Sequence, residues 1–248
     1  MLLVVIIFSV ALFSCAKKET LRRAAIGPYE GPVTIEILKK SIGFGTVGSV
    51  KAFVDVTISK QGKTEESLNG VLGYKAPGKL RINLFGPFGL TVTEILISGE
   101  LLQLFVPSKN VLYEWNSPEV TLTGLRNGRF RYEMMAEGEM FVLLAYNTDE
   151  QDPEVTARYY FDRTYLLNRA ICFYKDGPEV LRAEFYDFNG RVPERTRLSF
   201  SNSLLMDIAL QEPEFDSDIP EEYFRTIEHG VKQIKSFQEA FRRFAPGP

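Results

Sequence analysis

The chain has one histidine, two cysteines and one tryptophan among 248 residues, which leaves little material for catalysis or metal binding. His229 stands beside Gly230 without the Ser-His-Asp context of a nucleophilic triad, and no His/Cys spacing resembles a zinc site. No phosphate loop is present. Gly43-Phe44-Gly45-Thr46-Val47-Gly48 matches the G-x-G-x-x-G spacing but follows a helical pattern rather than a strand, so it reads as a connection. The pairs Glu65-Glu66 and Glu221-Glu222 are explained by solvated turns or a helix start. Neither an enzyme nor a cofactor is expected. A basic excess is missing too: Lys plus Arg total 29 against 32 for Asp plus Glu, a net charge of −3, which excludes the usual signature of nucleic-acid binding. No apolar run reaches the ~20 residues of a membrane-spanning helix.

What is present begins at the first residues. The apolar run from Leu2 to Leu12 is the length of a signal-peptide core, and Leu12-Phe13-Ser14-Cys15 ends it with a small residue directly before cysteine. This pattern resembles the lipobox of bacterial lipoproteins, in which the thiol is acylated and the leader, here residues 1–14, is removed. Cys15 is then the lipid-attachment site and the mature N-terminus. Ala16 follows it rather than the aspartate that retains proteobacterial lipoproteins in the inner membrane, and the resemblance therefore implies the outer membrane, with the protein facing the periplasm. Cys172, in the apolar run Ala170-Ile171-Cys172-Phe173-Tyr174, is left without a disulfide partner and reads as a small buried hydrophobe.

Residues 15–31 mix charges with Ala, Gly and Pro and read as a tether. Beyond them, 45% hydrophobic and 25% charged residues suit one folded domain with a sizeable core. Pro32, then Val33, Ile37, Leu38 and Ile42 on one face, with Gly43 beyond, predict a short helix. From Val50 the period becomes two: Val50, Ala52, Val54, Val56 and Ile58 alternate with Lys51, Asp55 and Thr57, and Gln61-Gly62 reads as the following turn. Leu80, Ile82 and Leu84 repeat the alternation. Further strands are predicted near 64–75, 90–98, 101–107, 110–115, 155–162, 166–175, 179–188, 194–201 and 204–211, separated by Gly, Pro and Asn. Between Ser117 and Asn147, Phe130, Met134, Phe141 and Leu144 fall at spacings that predict a helix.

The expected fold is α+β: a curled, incomplete antiparallel barrel of about ten or eleven strands with helices over its concave side. The strand pattern alone leaves open whether inward side chains fill a core or line a hollow. At the end of the chain Phe224, Ile227, Val231, Ile234, Phe237, Phe241 and Phe244 recur at three- and four-residue steps, with Lys232, Lys235, Arg242 and Arg243 among them, and predict a basic amphipathic helix over 222–248. Packing on the barrel is preferred over contact with an anionic membrane surface or a partner.

One segment carries a more specific likeness. Leu80-Arg81-Ile82-Asn83-Leu84-Phe85-Gly86-Pro87-Phe88-Gly89-Leu90-Thr91 resembles the connection between the third and fourth strands in the LolA/LolB superfamily of lipoprotein carriers and outer-membrane receptors, where an arginine-bearing strand leads into a Pro-Leu-Gly turn. The lipobox, the N-terminal helix, Val192-Pro193-Glu194 and Asp218-Ile219-Pro220-Glu221 are similar as well, so the likeness spans most of residues 32–221. It implies an apolar hollow that binds lipoprotein acyl chains, or another lipid, and a receptor that takes cargo from a periplasmic LolA-like carrier. Phe88 then matches the leucine that aids membrane delivery, within a loop of Gly86, Pro87, Gly89 and Leu90. Val54, Val56, Ile58, Leu80, Ile82, Leu84, Tyr159 and Phe161 are the expected lining of the hollow. The C-terminal helix has no counterpart in the family pattern. A monomer is expected. The alternative is an envelope lipoprotein that uses the same fold as a structural adaptor, with a filled interior.

Overall fold

A computed structural model describes residues 31–42, 44, 47–116, 130–147, 155–173, 178–201 and 203–236. Cys15, the leader and the tether lie outside the described residues. Among the described residues fourteen strands form one sheet: β1 (Ser49–Lys60), β2 (Lys63–Lys75), β3 (Lys79–Phe85), β4 (Thr91–Ser98), β5 (Leu101–Val106), β6 (Val111–Asn116), β7 (Phe130–Glu137), β8 (Met140–Asn147), β9 (Val155–Phe161), β10 (Leu167–Phe173), β11 (Glu179–Asn189), β12 (Val192–Phe200), β13 (Leu204–Phe215) and β14 (Gln233–Ser236). The spatial order is β14-β6-β5-β4-β3-β2-β1-β13-β12-β11-β10-β9-β8-β7. Two antiparallel meanders, β1 to β6 and β7 to β13, are thus zipped together by the β1–β13 pair, in which Val54 faces Leu210 and Val56 faces Ile208. β14 and β7 are the two edges and do not pair with each other, so the curled sheet stays open.

Alternation along β1 sets the inner face. Val50, Val54 and Val56 are buried, while Phe53 and Asp55 between them are exposed. Cross-strand register carries that face to Leu72 and Tyr74 on β2 and to Leu80, Ile82 and Leu84 on β3. One described α-helix, α1 (Ile35–Lys40), covers part of it. Its N-terminus is capped by Thr34, whose Oγ1 accepts from the Ile37 N–H at 3.3 Å, with Glu36 in the first turn and Lys39 and Lys40 in the last. Leu38, fully buried, packs with Leu143, Phe161, Tyr165 and Leu167, so α1 lies over the β8–β10 half. The expectation of several helices over the concave side reduces, among the described residues, to this one.

The helix expected between 117 and 147 is not formed where the chain is described: Phe130–Glu137 and Met140–Asn147 are a hairpin of strands. Met140-Phe141-Val142-Leu143-Leu144 is apolar on both sides because Val142 and Leu143 are both buried, at 1% and 0% exposure. Such a run lacks the two-residue period and mimics a helix.

The C-terminal helix is likewise corrected. Glu221–Phe224 forms a single 3-10 turn, the chain then runs extended, and Gln233–Ser236 adds a parallel strand beside β6; residues 237–248 lie outside the described residues. The segment is a strap across the outer face. Phe224 and Ile227 are buried against Leu96, Phe105 and Leu112, so the three-residue step that suggested a helix is satisfied by contacts with the sheet. Its backbone bonds go to the sheet as well: Arg81 Nη1 donates to the carbonyls of Tyr223 (3.1 Å) and Arg225 (3.3 Å), Lys75 Nζ to Ile219 (2.9 Å), and the Ile227 N–H donates to Gln103 Oε1 (2.8 Å). Gly73 leaves room for the Tyr223 ring, which a β-carbon there would meet at 2.5 Å.

Glu221 ties the start of the strap to Lys79 and, at 2.9 Å, to Lys75. These ammonium groups, Lys79 first, pull its carboxyl down to about 2. A depressed carboxyl contributes stability above its ordinary value of 4.5 and loses it as pH falls through about 2. A side-chain carbonyl NMR titration should therefore place the Glu221 midpoint near 2; an ordinary midpoint would contradict this clamp.

Candidate functional site

The eight residues expected to line a hollow all lie on the inner face, but the sheet divides them. Val54, Val56, Leu80 and Leu84 are buried in one cluster, with Ile58 and Ile82 half-buried at its margin. Phe161 and the half-buried Tyr159 belong to a second cluster beneath α1. The first four are therefore packed core, and the accessible apolar surface lies to one side of them.

That surface continues across β4, β5 and β6. Leu80 faces Ile97 and Ile82 faces Ile95; Ile95 and Ile97 face Leu104 and Leu102, which face Tyr113 and Trp115. Ile82, Ile95, Ile97, Leu102, Leu104, Tyr113 and Trp115 are all half-buried. Together they form a strip of inner face, four strands wide, that is apolar and still reached by solvent. Sequence reasoning placed strands at 101–107 and 110–115 but did not assign their faces. The usable signal was the register itself: consecutive hairpins carry the inward set of β3 onto β4 to β6. On the other half, the Tyr132 hydroxyl is buried beside α1 with no hydrogen-bond partner, and burial pushes its phenol pKa well up.

A different arrangement marks the β3–β4 connection. Pro87–Gly89 is a single 3-10 turn closed by the Gly86 N–H to the Leu90 carbonyl (2.8 Å) and the Gly89 N–H to the Gly86 carbonyl (3.2 Å). Gly86 is required by close approach, since a β-carbon would sit 2.9 Å from Val92 Cγ1. At the tip Phe88 is fully exposed, and Leu90 is 69% exposed. Phe88 also has φ 64°, a left-handed conformation that costs a residue with a β-carbon about 1 kcal/mol. Neither burial nor local backbone preference explains a phenylalanine there.

A cavity of about 280 Å³ opens elsewhere, lined by Asp187, Phe188, Glu194, Arg195, Ala209, Leu210 and Gln211. Its charged lining, including the Asp187–Arg195 pair at 3.4 Å, does not suit hydrocarbon. His229 lies on the outer face with its side chain 76% exposed, its Nε2 3.9 Å from Glu94 Oε1. Among the described residues no three His, Cys, Asp or Glu side chains are grouped to hold a metal ion.

No family model and no curated protein matches the sequence. Solved structures do match the fold. A LolA superfamily protein from Nitrosomonas europaea superposes with a TM-score of 0.57 at 13% identity, over 79% of this chain and 99% of that one. An outer membrane lipoprotein-sorting protein domain from Vibrio parahaemolyticus gives 0.59 at 13% identity, over 77% and 94%. A DUF1329 family protein from Desulfovibrio piger gives 0.59 at 12%, over 77% and 95%. The chain has a LolA-like fold.

Proposed function

We propose that this protein is a lipid-anchored envelope lipoprotein that holds acyl chains on its inner face and hands them to the outer membrane through the Phe88 tip. Cys15 is the anchor, attached through the tether 15–31. The observation that carries the reading is the half-buried apolar strip from Ile82 to Trp115, an inner surface without a charged group on the residues that face inward from β3 to β6. A concave apolar surface of this kind is suited to a flexible hydrocarbon tail, whose burial stabilises by about 0.8 kcal/mol per methylene. LolA-like carriers supply the corresponding partner: a periplasmic donor with lower affinity passes its lipoprotein cargo on, and a bilayer with higher affinity takes it. The passage needs no covalent step, and no catalytic group is assigned.

The protein carries its own reporter. Trp115, the sole tryptophan, sits on the accessible strip. Titration with a long-chain acyl probe should shift its emission to the blue with saturation, and the adaptor alternative predicts no shift. Replacing Phe88 with glutamate should leave that titration nearly unchanged, because the tip is fully exposed, while reducing delivery to vesicles about ten-fold or more. Equal loss of both would refute the division between strip and tip.

A further inference from the structure

We propose that the end of the sheet carrying Phe88 is a docking surface selective for an anionic bilayer, with Lys60, Lys63, Lys109 and Lys232 as its headgroup contacts. The inference rests on the proposed reading of that end as the one that meets the membrane, and adds what the surface selects. In an antiparallel meander, alternate hairpins share an end, so the β1–β2, β3–β4 and β5–β6 connections lie at one end of the sheet, about 10 Å apart across the strands, with the β1–β2 tip further out along them. Phe88 and Leu90 occupy the middle one. On one side the β1–β2 hairpin presents Lys60 and Lys63, paired across its two-residue turn and both exposed. On the other the β5–β6 turn presents exposed Lys109, and the strap brings exposed Lys232 against the same turn, its N–H donating to the Asn110 carbonyl at 2.9 Å.

Among the described residues none of these four ammonium groups is paired with a carboxylate. At the opposite end of this half, by contrast, Lys75 and Lys79 are both engaged by Glu221. The acids around the Phe88 end are Asp55, level with Phe85 across β2 and accepting from Gln211 Nε2 at 3.0 Å; Glu94, paired with Arg81; Glu228, whose Oε1 accepts from Thr226 Oγ1 at 3.0 Å; and the exposed Glu65 and Glu66, which stand behind the hairpin turn on β2. The β1–β2 hairpin reaches past the Asn69–Phe85 pair by six further residues of β2, so the basic rim is slanted, as the ends of tilted strands in a curled sheet are. Cations on two sides and an apolar wedge between them match a target with negative charge outside and hydrocarbon within. That layering is a bilayer's; an acidic peptide would leave Phe88 without a partner. Basic residues at such a surface add attraction to anionic lipid that fades within a Debye length.

The test uses the whole chain that follows the leader, with Cys15→Ser so that the lipid anchor does not mask weaker contacts. Its binding to phosphatidylcholine vesicles is compared with binding to vesicles that also contain phosphatidylglycerol. Preference for the anionic vesicles of about ten-fold or more is expected, lost in ~1 M salt, where the Debye length is about 3 Å, and lost when the four lysines are replaced by glutamine. An unchanged thermal melt checks that the variant folds, as exposed unpaired lysines should allow. Equal binding to both vesicles, or a preference that survives the fourfold substitution, overturns the proposal; a variant that keeps the preference yet loses exchange with a protein carrier would assign the lysines to an acidic protein instead. Phe88→Glu on the neutral vesicles reports separately on the tip: its failure to weaken binding there would count against the membrane-facing reading, whatever the lysines do.

Discussion

Replacing Glu94 with alanine is expected to destabilise the protein by about 3–5 kcal/mol, a large share of the roughly 5–15 kcal/mol that holds a domain together. Glu94 and Arg81 form a 2.6 Å ion pair on the outer face with side chains only 10% and 13% exposed. The guanidinium also holds the Tyr223 and Arg225 carbonyls, so one buried cation joins two strands and the strap. Without Glu94 that charge stays buried and uncompensated, and moving it to water would require the strap to lift. Chemical denaturation measures the loss, and limited proteolysis between Arg225 and Lys232 should show the strap opening first. A double replacement, Arg81→Met with Glu94→Leu, should recover much of the stability, since removing a buried pair together costs far less than removing half. A change below about 1 kcal/mol in the single variant would mean that the strap is held by its apolar anchors Phe224 and Ile227 alone.

The second large effect concerns cargo. Leu104 lies in the middle of β5, facing Ile95 and Tyr113 on the inner strip, and is half-buried. Leu104→Glu should lower acyl-probe affinity by at least about a hundred-fold, because seating hydrocarbon over a carboxylate costs several kcal/mol of desolvation. The unliganded protein should tolerate the change, since the site is open to water, and the melt would check this. The matching change on the outer face, Arg131→Glu, touches no part of the strip and should leave the titration unaltered. If Leu104→Glu binds the probe as well as the parent chain, the strip is not where hydrocarbon sits.

Much of the sheet was legible because half-buried strands announce themselves. Val50 to Ile58 alternates cleanly, and the inward set is the buried one. Gln61-Gly62 was readable as a turn, and both residues have left-handed φ, 51° and 77°. The exposure of Phe88 was also readable from the glycines and proline around it. Three things were not. β8 is buried on both faces, so its apolar run carries no period to read, and the strand count came out below fourteen. The strap has helical spacing in Phe224, Ile227 and Val231, yet its carbonyls and amides are taken by Arg81, Lys75 and Gln103, residues more than a hundred positions away in sequence. No local signal announces that competition. Of the candidate site, the alternation showed which residues of β1 and β3 share a face, but the packed and the accessible portions of that face differ only in what covers them. That is a tertiary fact, and it moved the candidate site from Val54, Val56, Leu80 and Leu84 toward Leu102, Leu104, Tyr113 and Trp115.

The most direct measurement is mass spectrometry of what the chain carries when isolated from the envelope as the non-acylated Cys15→Ser form, released under conditions that keep it folded. The account predicts an acyl-bearing molecule bound near one per chain, displaced by excess long-chain probe with the matching change in Trp115 emission. Preparations that are repeatedly empty, and that take up no acyl chain from a loaded carrier, would contradict it and leave the folded sheet as an adaptor.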